Sequence, residues 1–195
     1  MTSSIDVLSA ATVSFETLDH PSLKIRYEAP LKGAAKDVAT TFPVIEAELA
    51  ELFGWHLPQR PTVMLIQNEE FFRRLADHPL ITAFAVPSEN LIALDVGKLA
   101  GRPAHFRSVL KHEVVHLFLH ANRSGAALPK WLEEGVAQWA SEGVAELLEQ
   151  PRSSLLQDAV LSGDLIPLSA LRDRFPNDSR MLLLAYEESR RWYHT

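Results

Sequence analysis

Residues 111–120, KHEVVHLFLH, place His112 and His116 four positions apart with Glu113 beside the first. On a helix of about 3.6 residues per turn, positions four apart lie one above the other, so both imidazoles project from one face and can bind one ion. Glu113 turns about 100° away from His112, which keeps it off the ion but near enough to take a proton from a water molecule there. Two imidazoles, a third protein ligand, an open position for water and a carboxylate base are what a hydrolytic zinc site needs. His120 lies about 12 Å of helix rise from His112, too far to share that ion, and suits the helix C-terminus or solvent.

The third ligand has to come from a neighbouring helix. Pro129 and Trp131 mark a helix start just where Glu133 and Glu134 follow, and the loop after His116 is short enough to force the two helices side by side. Spacing alone leaves both glutamates open. The chain has no cysteine, so any metal is held by His, Asp or Glu. Gln138 and Glu142, one and two turns beyond Glu134, are candidate partners for the outer nitrogens of the histidines. The plainer alternative for the pentad is a core helix that happens to carry histidines. His20, His56, His78, His105 and His194 have no ligand spacing to it and read as ordinary core or surface residues. Trp131 and Trp139 are expected to pack the second helix against the first.

HEVVH followed by Pro129-Lys130-Trp131-Leu132-Glu133-Glu134-Gly135-Val136-Ala137 resembles the gluzincin zinc metallopeptidases, most of all the small bacterial peptidase-MA-type domains. In those the zinc helix is followed by a Pro-x-Trp-Leu-x-Glu-Gly-x-Ala segment whose Glu before Gly is the ligand, so the resemblance selects Glu134. It implies one Zn2+ ion on His112, His116 and Glu134, Glu113 as general base, and a peptide or protein substrate. TAFAV (82–86) with LIALD (91–95) resembles the family's edge and return strands, which implies Ala83, Phe84 and Ala85 as substrate-facing backbone. Ala185-Tyr186-Glu187-Glu188-Ser189 is similar to the family's Ala-Tyr-x-x-Ser segment and implies that Tyr186 stabilises the oxyanion; a tyrosine packed between helices is the alternative. Relatives usually continue the last helix past the point that Trp192–Thr195 occupies, so a short C-terminal wall to the cleft is expected. A metzincin would need Gly at 119 and His at 122, where this chain has Leu119 and Asn122, and no inverted His-x-x-Glu-His occurs. A competing class of function is a non-catalytic zinc domain that serves binding or assembly. The intact Glu113 argues against it, because a structural ion has no use for a base.

The elements that must hold these residues follow from periodicity. Val13–Phe15 and Leu23–Tyr27 alternate as two short strands around a turn at Asp19–Ser22. From Lys32 to Phe53 apolar residues recur at helical steps, with Pro43 expected to kink or split the helix and Gly54 to stop it. Pro61–Ile66 reads as a buried strand, Asn68-Glu69-Glu70 opens a short helix, and Ile81–Val86 with Leu91–Asp95 form a hairpin across Pro87–Asn90. Helical spacing returns from Pro103 to about Ala121, and two or three further helices fill the remainder, with breaks at Gly163–Pro167 and Pro176–Asp178. The order predicts a single α+β domain: a small mixed, largely antiparallel sheet lobe over about 1–100, then the zinc helix and a helical lobe over about 101–195.

Composition sets the outer limits. Hydrophobic residues make up 47% of 195 and charged residues 23%, which is ordinary for a globular enzyme. A formal net charge of -6 offers no basic face for nucleic acid or an anionic membrane surface. The N-terminal MTSSIDVLSAATVSF carries no Lys or Arg, and no apolar run approaches the roughly 20 residues of a membrane span, so a soluble cytoplasmic protein is expected.

Overall fold

The structure is a computed structural model and describes residues 13–123, 125, 127–143, 147 and 153–193. Strands β1 (Phe15–His20), β2 (Leu23–Glu28), β3 (Thr62–Ile66), β4 (Ala83–Val86) and β5 (Leu91–Asp95) form one sheet in the order β1-β2-β3-β5-β4. The sheet is mixed, and the antiparallel pairing expected from the hairpins is confined to its two outer pairs, β1/β2 and β4/β5. The two inner pairs, β2/β3 and β3/β5, are parallel. Parallel neighbours need a crossover, and helix α1 (Lys32–Phe53) supplies the one between β2 and β3.

Side-chain alternation gives the sheet two apolar faces. Ile25 of β2, Val63 and Leu65 of β3 and Ile92 and Leu94 of β5 point into the main core, with α1 and helix α4 (Pro103–Asn122). Met64, Ile66, Leu91 and Ala93 point the other way, onto Phe71 and Phe72 of the short helix α2 (Glu69–Leu75). Asn68 caps α2 as its residue type suggests, its Oδ1 accepting from the Phe71 N–H at 2.9 Å. One α-helix was not anticipated: α3 (Val96–Leu99), opened by Asp95, whose Oδ1 accepts from the Lys98 N–H at 3.1 Å.

The elements differ in places from the sequence reading: β4 starts at Ala83 rather than Ile81. β1, expected over Val13–Phe15, begins at Phe15 and runs through Asp19 and His20, which pair with Lys24 and Leu23, so the turn shrinks to Pro21-Ser22. An edge strand half open to water does not need apolar alternation, which is why pattern alone misplaced it. Helix α1 is a single element through Pro43, not two. Phe42 and Ile45, both buried, flank the proline, and their burial offsets the hydrogen bond that it cannot donate. Gly54 ends α1 at φ 69°, its N–H bonded to the Ala50 carbonyl.

Beyond α4 lie α5 (Lys130–Ala140), α6 (Ser153–Ser162) and α7 (Ser179–Tyr193). α5 packs on α4 and, more extensively, on α7. Gly163 and Asp178 stand at the expected breaks, the latter capping α7 through the Met181 N–H at 3.0 Å. Among the described residues no helix is long and apolar enough to cross a membrane.

Candidate metal centre

α4 is buried on nearly every side from Val109 to Leu119. Its Val114, Val115, Leu117 and Phe118 join the main core and fix the helix's rotation, so that His112 and His116 face α5. Their rings stand 5.0 Å apart between centroids. α5 is anchored at its start, where the Lys130 and Trp131 N–H groups donate to the carbonyls of Arg172 and Leu171. Farther along, Gln138 Nε2 donates to the Tyr186 carbonyl at 3.0 Å, tying α5 to α7. These ties aim Glu134 at the two histidines. One ligand atom from each of His112, His116 and Glu134 lies within 4.8 Å of the other two, and all three side chains are buried.

The separations suit a shared ion. His112 Nε2 stands 3.2 Å from Glu134 Oε2, and His116 Nε2 stands 3.7 Å from Glu134 Oε1. Tetrahedral ligands at about 2.0–2.2 Å from a metal are themselves about 3.3 Å apart. The two observed distances, to different oxygens of Glu134, lie near that value, and with one ligand atom of each residue within 4.8 Å of the others the group could hold a metal ion.

The surroundings keep the Glu134 carboxylate ionised, the form that binds a cation. Burial pushes the Glu134 carboxyl up, but Lys130, His116 and His112 outweigh it and hold the group well below the usual carboxylate range. His116 is drawn down by burial, yet Glu134 and a hydrogen bond to Glu133 prevail and raise it above its ordinary value. In that bond His116 Nδ1–H donates to Glu133 Oε1 at 3.0 Å, which leaves Nε2 for the ion. Glu133, also opposed by burial, is lowered in turn by His116 and Lys130.

Thus Glu133, which spacing left open as a ligand, instead orients one. The two residues expected in that supporting role do not take it: Gln138 donates Nε2 to the Tyr186 carbonyl while its buried Oε1 accepts no hydrogen bond among the described residues, and Glu142 lies exposed past the end of α5 at φ 65°. Lys130 was missed, although its spacing to Glu134 is the i,i+4 spacing of neighbours on a helix. Its ammonium pairs with Glu134 Oε1.

His116, Glu134, Glu113 and Glu133 line a cleft of about 660 Å³, whereas His112 does not reach its surface. One wall is β4: Phe84 and Ala85 line the cleft, whereas the Ala83 side chain is buried in the main core and Ala83 does not. The opposite wall carries Tyr186 and the 173–177 loop, with Phe175 edge-on to the tyrosine ring at 5.0 Å. Tyr186 is also almost fully buried, packed with Leu147 and Leu182, so packing and cleft position coincide there. Of the other histidines, His78 lines the cleft rim, its Nδ1 accepting from the Leu80 N–H at 3.1 Å; His194 lies outside the described residues. Trp139 packs on Phe53 of α1 at 6.2 Å between ring centroids. Comparison of the chain with family models, with curated proteins and with solved structures finds no match.

Proposed function

We propose that the chain is a zinc-dependent peptidase of the gluzincin type, with His112, His116 and Glu134 holding one Zn2+ ion. The observation that carries this reading is the convergence of three buried ligand atoms from two helices, with two of the three residues, His116 and Glu134, lining a cleft that Glu113 also lines. Two imidazoles and one carboxylate suit zinc among the available divalent ions. A zinc ion there would polarise a substrate carbonyl and make a water molecule more acidic.

The chain's own residues supply the remaining steps. Glu113 accepts the proton of the attacking water and returns it to the leaving amine. An extended peptide adds to the free side of β4 along Phe84 and Ala85 by backbone hydrogen bonding, since β4 pairs with β5 alone among the named strands. The Tyr186 hydroxyl donates to the carbonyl oxygen as negative charge develops there. A non-catalytic zinc domain would need neither the cleft nor a carboxylate base lining it.

Digestion of an unbiased peptide mixture tests the proposal. The wild-type chain should cleave it, whereas Glu113→Gln should lose turnover and keep its metal; a Glu113→Gln chain as active as wild type contradicts the mechanism.

A further inference from the structure

We propose that Lys130 is the counter-cation of the metal-free site: its ammonium neutralises Glu134 and competes with a divalent ion for that carboxylate. This rests on the metal reading above but concerns a residue to which that reading gives no task. Glu134 is fully buried, whereas Lys130 reaches it from the cleft with 37% of its side chain exposed. The lysine sits on Oε1, the same oxygen that faces His116 Nε2.

Helix stability does not account for a lysine there. Lys130 is the first residue of α5, at the positive end of the helix dipole, where a cation is disfavoured. A lysine placed four residues ahead of a glutamate is also the weaker of the two orders for such a pair. What the position does achieve is delivery of a positive charge to a buried carboxylate. Hydrogen bonds from the Lys130 and Trp131 N–H groups to the Arg172 and Leu171 carbonyls fix the backbone from which it reaches.

The need for such a charge is local. Glu113, Glu133 and Glu134 all line one cleft, and a buried carboxylate left without a cation is costly. An ammonium on a flexible four-carbon stem at the cleft surface can leave for water when an ion arrives. The apo fold is thereby protected, and metal affinity is reduced by the strength of the pair that must be broken.

Zinc affinity by chelator competition and thermal unfolding of stripped and zinc-loaded full-length chain test this. Lys130→Met and Lys130→Gln should bind zinc about tenfold more tightly than wild type, the scale of one charge-assisted hydrogen bond. Their stripped forms should unfold at lower temperature, while the loaded forms match wild type. Lys130→Arg, which retains the cation, should keep wild-type affinity. Neutral variants that bind zinc no more tightly than wild type overturn the proposal. If wild type itself binds no zinc, the metal reading falls as well; if it binds and the neutral variants gain nothing, only the role of Lys130 falls.

Discussion

Removing Glu133 tests whether the partner of His116 matters to the metal site. Its Oε1 accepts the His116 Nδ1–H at 3.0 Å, and its side chain is 25% exposed. Outer partners of ligating histidines typically contribute about 10–100-fold to metal affinity. Glu133→Gln keeps an acceptor oxygen and loses only the charge, which places it near the lower limit of about tenfold. Glu133→Ala loses both, but the partial exposure lets water replace the acceptor, so about 30-fold, or roughly 2 kcal/mol, is expected. Glu134→Ala removes a ligand and should abolish tight binding altogether. Zinc dissociation constants by chelator competition at one pH give all three values. A Glu133→Ala chain that binds zinc within about twofold of wild type would refute the idea that this hydrogen bond orients the ring.

Other perturbations probe the scaffold. Burial raises the Glu188 carboxyl above its ordinary 4.5 against a hydrogen bond from the Ile166 N–H. A carboxyl raised in the folded state contributes stability that is complete below the unfolded value and is lost as pH rises through the folded one. The melting temperature of Glu188→Gln should therefore gain on wild type from pH 4 to pH 8, and a pH-independent difference contradicts the shift. Phe118, fully buried behind the histidine face, should cost about 3–5 kcal/mol as Phe118→Ala in urea unfolding. Gly54→Ala meets no atom within 4 Å but must adopt φ 69°, and should cost about 1 kcal/mol in the same assay.

What the sequence made legible was local. The i,i+4 spacing of His112 and His116, the run of core residues between and beyond them and the short connection to Glu134 all act within one or two elements, and the structure brings those three residues together. The hairpin, the Asn68 cap and the Gly54 stop were readable for the same reason. The parallel pairing of β2 with β3 and of β3 with β5 was not, because crossover pairing joins segments far apart in the chain without a periodic mark. Glu133 and Gln138 changed parts because the rotation of α5, set by its contacts with α7, decides which side chain meets His116. The cleft wall at 173–177 carried no functional signal: only Pro176 and Asn177 read as part of a break between helices, and the packing of Phe175 on Tyr186 places the wall.

Metal stoichiometry is the most direct test of the account. Protein purified without added metal and analysed for all divalent ions after dialysis should carry close to one zinc per chain. His112→Ala and Glu134→Ala should carry essentially none while keeping their helical circular dichroism. A wild-type chain that holds no ion, and takes up none when zinc is supplied, would contradict the claim that these two helices meet around a metal.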